Sequence, residues 1–348
     1  MAKGKEGLVP VKKMVQPKSG KPHVKTFWMK PGEFEEHKSK TSKSTEDMYK
    51  KDGKWTEERG KKHAATVKKV VESCPFPPKG EKPKCVLLLG GAASGKSTVV
   101  DRFVKPEMGG NFGTVNVDDV KEDIDEYAQF VKDDVATAAS RVHEESSEMG
   151  KAITSSVIQD GRNFIYDAVL GNPEKAKKMI ASLKAKGYEV SLVGVNVDAE
   201  ESLDRASLRA FGNVEQGGDK GGSGRMVPPG ILLDGHRGAS RTFDAIKDMV
   251  DGVSLYDNNV EYGKDPIAVV TAPPQKVLRE DLYSEFKGKA DLNIAEAVNR
   301  YNKKQINKAI DLIPDAEEWI LQKAISEETN AIKREVYIHK LNRMRSRV

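Results

Sequence analysis

CVLLLGGAASGKSTVVDRFV, Cys85 to Val104, is the stretch whose reading decides the fold. Cys85 to Leu89 is a short apolar run of strand length, and Ser97 to Val104 repeats its apolar positions at helical spacing. Between them GGAASGKS, Gly90 to Ser97, satisfies G-x-x-x-x-G-K-[ST] in the strand-then-helix context that a phosphate-binding loop requires. Each position has a physical task. Gly90, Gly91 and Gly95, with Ala92, Ala93 and Ser94 between them, let the backbone curl until its N–H groups converge on phosphate oxygens. The positive end of the following helix adds to that attraction. Lys96 is expected to neutralise the β- and γ-phosphates of a nucleotide and Ser97 to ligate Mg²⁺, with Thr98 completing the binding set.

Outward from this loop, strand-like and helix-like segments alternate. Thr114–Val117, Phe164–Tyr166, Glu189–Val197 and Val253–Tyr256 read as further strands, and 134–160, 173–186 and 200–211 as helices. Strands separated by helices pair in parallel through right-handed crossovers, so the expected fold is α/β: a three-layer P-loop NTPase with a five-stranded parallel sheet. Upstream, Thr56 is placed to cap a helix running to Ser73, and the Pro-rich CPFPPKGEKPK, Cys74 to Lys84, connects it to the first strand. The predicted organisation is a basic, largely flexible arm over 1–54, a catalytic domain over 55–273 and a helical extension over 274–348. In that extension Ile306, Ile310 and Ile313 share a helical face, continued by Trp319, Ile320, Ala324 and Ile325 beyond Pro314. GNVEQGGDKGGSG, 212–224, is too rich in glycine for helix or strand and reads as a flexible loop.

The formal charge of +5 is unevenly spread: residues 1–80 hold 20 Lys/Arg against 10 Asp/Glu, and the remainder 38 against 43. A basic arm suits nucleic acid, an acidic lipid surface or an acidic protein equally well, and is also the composition of a solvated tail. Two cysteines, Cys74 and Cys85, form no disulfide ladder and no metal-ligand spacing, which fits a reducing cytoplasm. Six scattered histidines, His143 and His236 among them, form no metal cluster and are expected to be structural. No apolar run is long enough to span a bilayer, and the Lys-rich start lacks a signal-peptide core.

Phosphoryl transfer needs a carboxylate near the γ-phosphate and positive side chains around it. VNVDDVKEDIDEY, Val115 to Tyr127, places Asp118 and Asp119 at the carboxyl end of the second strand, where open α/β sheets bind ligands. Arg205 and Arg209 are spaced i, i+4 on a helix, and Arg225 follows the glycine-rich loop. Neither the N-K-x-D motif of a GTPase nor an Asp-Glu strand end of a motor ATPase is present. Asp167, closing the third strand, is placed to orient Mg²⁺ through water or to touch substrate, which leaves an ATPase reading open.

The phosphate loop, VNVDDVKEDIDEY, HEESSEMGKAI, GRNFIYDAVLGNP, KGYEV, ESLDRASLRA, GRMVP and VSLYDNN follow one another in the pattern of zeta-toxin-like P-loop kinases, between Trp55 and Asn259. The resemblance implies an ATP-dependent kinase whose best-known members phosphorylate the 3′-hydroxyl of the sugar in UDP-N-acetylglucosamine. It implies Asp118 as catalytic base, Lys96 as the loop lysine, Arg209 and Arg225 as the triphosphate clamp with Arg205 as the alternative to Arg209, and Lys121 as the basic residue after the base. Asp167-Ala168-Val169 stands where many members carry an acidic residue followed by Gly-Thr, part of the sugar-nucleotide site. An antitoxin covering the nucleotide site is a further family expectation. Two rival readings stand beside the kinase: a nucleotide-binding interaction protein without turnover, and a polynucleotide 5′-kinase using the basic arm.

Overall fold

The computed structural model describes residues 9–15, 23–29, 43–134, 137–211, 227–261, 263–271, 276–312 and 338–342. Its contacts divide the chain into two units, 1–292 and 293–348. In the N-terminal stretch, β1 (Val9–Val15) and β2 (His23–Met29) pair antiparallel, with Val9 opposite Met29 and Val15 opposite His23. The first helix, α1 (Thr45–Tyr49), is closed by a capping box in which Ser44 and Asp47 satisfy each other's backbone N–H groups. A two-stranded ribbon, β3 (Lys50–Lys51) and β4 (Lys54–Trp55), leads into α2 (Glu57–Ser73), capped by Thr56 as its sequence predicts. The arm expected to be largely flexible up to residue 54 therefore contains two strand pairs and a capped helix.

The central sheet begins with β5 (Lys84–Leu89) and continues through β6 (Gly113–Asn116), β7 (Phe164–Asp167), β8 (Glu189–Asn196) and β9 (Gly252–Asp257). These five are parallel, in the spatial order β9-β8-β5-β7-β6. Two antiparallel strands, β10 (Ile267–Thr271) and β11 (Lys276–Val277), widen the sheet to seven at the β9 edge. Only a short loop joins β9 to β10, so no crossover helix is available and the chain returns antiparallel. Strand β11 lies past residue 273, where the sequence reads as mostly helical.

Helices α3 (Lys96–Val99) and α4 (Lys105–Glu107) flank a π-helical turn, Val100–Val104, where the sequence predicts regular helix. Pro106 has no N–H to continue the α-helical ladder, which accounts for the wider turn before it. Then come α5 (Val117–Val120), α6 (Tyr127–Asp133), α7 (Ala138–Arg141) and α8 (His143–Asp160), three of them within or beside a stretch that reads as one long helix. Beyond lie α9 (Pro173–Ala185), α10 (Ala199–Phe211), α11 (Pro229–Ile246) and α12 (Glu280–Gly288). In the second unit, α13 (Ile294–Leu312) is the long described element; the expected helices beyond Pro314 lie outside the described residues.

Strand β5 is buried from Cys85 to Leu89 and feeds both cores. Cys85, Leu87 and Leu89 face the larger one, packed with Ile153 of α8, Ile180 of α9, Phe243 of α11 and Phe286 of α12. Val86 and Leu88 face the smaller one, with Val99, Val100 and Val104 from the helix after the phosphate loop. Helix α8 comes so close to α5 that a Cβ on Gly150 would sit 2.5 Å from Val117 Cγ2. That glycine, the last residue of SSEMG, sets the spacing of the segment that carries Asp118.

Helix α2 is locked to α8 by charge. The Arg59 guanidinium contacts both Glu145 carboxylate oxygens at 2.5 and 2.9 Å and both Glu126 oxygens at 3.1 and 2.6 Å, and His63 Nε2 lies 2.6 Å from Glu145. Arg59 and Glu145 are both buried. Burial alone would raise the Glu145 carboxyl, but hydrogen bonds from His63 and Arg59 outweigh it and hold the group at about 2. A depressed carboxyl contributes stability that is complete above its ordinary value of 4.5 and is lost as pH falls toward about 2. Urea titrations should accordingly show stability declining between pH 5 and pH 2, and Glu145→Gln should flatten that limb. Glu145→Ala, which leaves the buried guanidinium with Glu126 as its remaining carboxylate partner, should cost about 3–5 kcal/mol at pH 7.

Candidate active site

The loop after β5 adopts the curl its glycines permit. Gly95 has φ +86°, and a Cβ there would lie 2.0 Å from Asn258 Nδ2; a Cβ on Gly91 would lie 2.2 Å from the His236 ring. Two polar side chains thus close on the loop from outside. Asn258 Nδ2 donates to Ser94 O at 3.0 Å, and His236 Nε2 donates to Ala92 O at 3.0 Å. Burial pushes the His236 imidazole down to about 3, with Lys289 and Lys96 adding to the shift, so the ring is neutral and its proton must sit on Nε2 to serve a carbonyl.

Inside the curl, Lys96 Nζ donates to Gly90 O and Gly91 O at 3.1 and 3.3 Å and lies 3.8 Å from Asp167 Oδ1. Ser94 Oγ is buried with no hydrogen-bond partner among the described residues. A glycine-permitted backbone curl with an ammonium and an unmatched hydroxyl in its wall fits a phosphate group. Ser97, at the first turn of α3, is exposed, with Thr98 beside it. No group of three or more His, Cys, Asp and Glu side chains suited to a metal occurs among the described residues.

The neighbouring strand ends complete the arrangement. Asp167 closes β7 in register with Leu88 of β5 on one side and Asn116 of β6 on the other. Asn116 Nδ2 donates to Asp167 Oδ2 at 3.2 Å, while Asn116 Oδ1 caps α5 by accepting from Asp118 N at 2.9 Å. Lys121, buried, meets Asp118 Oδ1 at 2.7 Å. Asp119 faces an adjoining cavity of about 270 Å³ shared with Thr114, Asn116 and Lys69.

The structure thus brings Gly90–Ser97, Asp118, Lys121 and Asp167 to the carboxyl ends of three adjacent strands. Arg205 is near but braced: its guanidinium contacts Glu201 at 2.8 Å and Asn258 O at 3.1 Å. Arg209 lies one turn further along α10, and Arg225, with the loop 212–224, lies outside the described residues.

The zeta toxin family matches residues 68–261, more than half of the chain. The chain belongs to the zeta toxin family. Solved structures with the same fold include the AvrRxo1-ORF1:-ORF2 complex, at 16% identity and a TM-score of 0.55 over 86% of this chain and 94% of that one. The AvrRxo1-ORF1:-ORF2 structure with ATP gives 15% identity, a TM-score of 0.55 and the same coverage. The PezAT toxin–antitoxin system of Streptococcus pneumoniae gives 16% identity and a TM-score of 0.51 over 73% of this chain and 98% of that one. No curated protein sequence matches the chain.

Within this zeta toxin site, sequence reasoning passed over Asn116, Asn258 and Lys289 and assigned His236 no partner. Asn116 and Asn258 stand inside motifs already singled out, VNVDD and YDNN, directly after buried strand residues, and that position was their signal. Helix α11, which carries His236, is disguised by Gly230, Gly235 and Gly238. If the His236 ring fills the space above Gly91, Gly91→Ala should lower stability by about 1–3 kcal/mol. In a double-mutant cycle with His236→Ala that penalty should shrink; strictly additive losses in denaturant titrations would contradict the contact.

Proposed function

We propose that this chain is an ATP-dependent kinase, toxin-like in action, that phosphorylates a hydroxyl of a small molecule. A nucleotide sugar such as UDP-N-acetylglucosamine is the first acceptor to test. One observation carries the reading: a line of polar contacts runs from the phosphate loop to the segment that bears a carboxylate, from the Lys96 ammonium to Asp167, from Asp167 to the Asn116 amide and from that amide to the backbone N–H of Asp118. A phosphate-binding loop alone serves any nucleotide-binding protein; a carboxylate anchored beside it is what a hydroxyl acceptor requires.

In this reading Gly90–Gly95 and Lys96 hold the ATP phosphates, and Asp118 takes the proton of the acceptor hydroxyl, its orientation set by Lys121 and by the Asn116 cap. Lys96 exchanges its carbonyl partners for phosphate oxygens when ATP enters. Arg209 and Arg225 clamp the triphosphate, with Arg205 bracing the loop through Asn258. Ser97, together with Asp167 through water, would hold Mg²⁺, a hard cation that accepts oxygen donors and draws negative charge from the phosphates. The domain responsible spans 55–273, flanked by the basic arm and the helical extension.

The ATP and antitoxin parts of the proposal gain support from the solved structures of similar fold, one of which contains ATP and another of which belongs to a toxin–antitoxin system. An antitoxin is accordingly the proposed protein partner, and nucleic acid at the basic arm the partner a polynucleotide kinase would need. No described helix is long and apolar enough to cross a membrane, and the proposed site of action is the cytoplasm.

The deciding experiment is phosphoryl transfer from Mg²⁺-ATP to a panel including UDP-N-acetylglucosamine and 5′-hydroxyl oligonucleotides. Asp118→Asn should keep ATP binding and lose transfer by about 10²–10⁴-fold; near-normal turnover would move the base to Asp119. Lys96→Ala should abolish tight ATP binding while thermal stability stays close to native. End-labelling of the oligonucleotide would favour the polynucleotide kinase. Tight ATP binding with no transfer to any acceptor would favour a binding protein.

A further inference from the structure

Lys289 lies 28 residues beyond the end of the family match at 261, yet its side chain runs back to the carboxyl end of β8. Its ammonium donates to Asn196 Oδ1 at 2.6 Å and to Val197 O. Asn196 Nδ2 in turn donates to Asp257 Oδ2 at 2.7 Å, tying β8 to β9, and Asn196 O accepts from the backbone N–H of Asn258 at 2.8 Å. Asn258 is the residue whose side chain holds Ser94 O in the phosphate loop. One half-buried cation thus terminates a hydrogen-bond chain that ends at the loop. It also adds a positive charge close enough to depress His236, which presses on the same loop from the other side.

We propose that Lys289 is a positioning residue of the phosphate site: it braces the strand ends behind the loop and supplies a fixed positive charge favouring a bound polyphosphate. The proposal rests on the nucleotide-binding reading of Gly90–Ser97. Around the ammonium stand Asp198 past β8, Asp257 on β9 and Glu285 on α12, all favouring the charged form, with neutral His236 on α11, which also feels Lys96. On the same α11, Arg241 Nε donates to Ala290 O, next to Lys289. Burial outweighs the carboxylates and brings Lys289 down to about 8. The charge is therefore present at pH 7 and fades as pH rises through about 8. Because the shift is downward, the half-buried charge costs folding stability at neutral pH, and that cost is relieved above pH 8.

A purely structural tether and a charge that serves the ligand predict different things. The test uses the full chain and a fluorescent ATP analogue, with binding measured from pH 7 to 9.5 in the native protein, Lys289→Met and Lys96→Ala. Expected is a loss of affinity of about tenfold in Lys289→Met at pH 7. The native affinity should also decline through pH 8, and that decline should be missing from Lys289→Met. Native affinity flat between pH 7 and 9.5, or a folded Lys289→Met that binds like the native chain, would overturn the proposal even if that variant is unstable in one of the two measurements. Native binding that does not depend on Lys96 would overturn the phosphate-site reading and this inference with it, so the two failures are distinguishable.

Discussion

A loop that turns its N–H groups toward an anion must turn carbonyl oxygens away from it, and those oxygens need donors of their own. Much of the site follows from that constraint. Ala92 O takes His236 and Ser94 O takes Asn258. The two donors come from separate stretches of chain, brought together by the sheet and α11. A short backbone curl with little packing of its own is thereby held by groups anchored in the densest part of the molecule. The neutral state of His236 belongs to the same logic, since a protonated ring would lie buried beside the ammonium groups of Lys96 and Lys289.

Opposite the loop, a different device positions the carboxylate. Asn116 sits at a branch: one arm of its amide reaches Asp167, the other caps the short helix that starts at Val117. Asp118 owes its place to this cap, to Lys121 and to the close fit of Gly150 on Val117. The charged contacts of Arg59 with Glu145 and Glu126 then hold α2 on the outer side of α8.

The parallel core was legible because its physics is local. Apolar strands of four to eight residues, a glycine loop and amphipathic helices each announce themselves within a short window, and β5 to β9 appear where those patterns stand. The positions of the phosphate loop, Asp118 and Asp167 at or just past strand ends were legible for the same reason, whereas Lys121 was singled out only by the family resemblance. What escaped depends on contacts distant in sequence. Strands β10 and β11 exist because β9 offers them an edge; α11 forms despite three glycines because Leu232, Leu233 and Phe243 are buried in the core. Lys289 looks like any surface lysine until the fold carries it to Asn196. In the arm the many lysines mask local signals, although Ser44 and Asp47 spell a capping box.

The Arg59 contacts have a practical corollary for anyone working with this family. The family match opens at Lys68, in the middle of α2. A fragment cut at that boundary would sever the helix, discard Arg59 and His63, and leave Glu145 as a buried carboxylate with neither of them beside it. Domain limits drawn from shared sequence patterns mark where relatives agree, whereas the smallest piece able to fold is set by which charges cannot be left alone. For this chain that piece must reach back at least to Thr56, which caps the helix carrying Arg59 and His63.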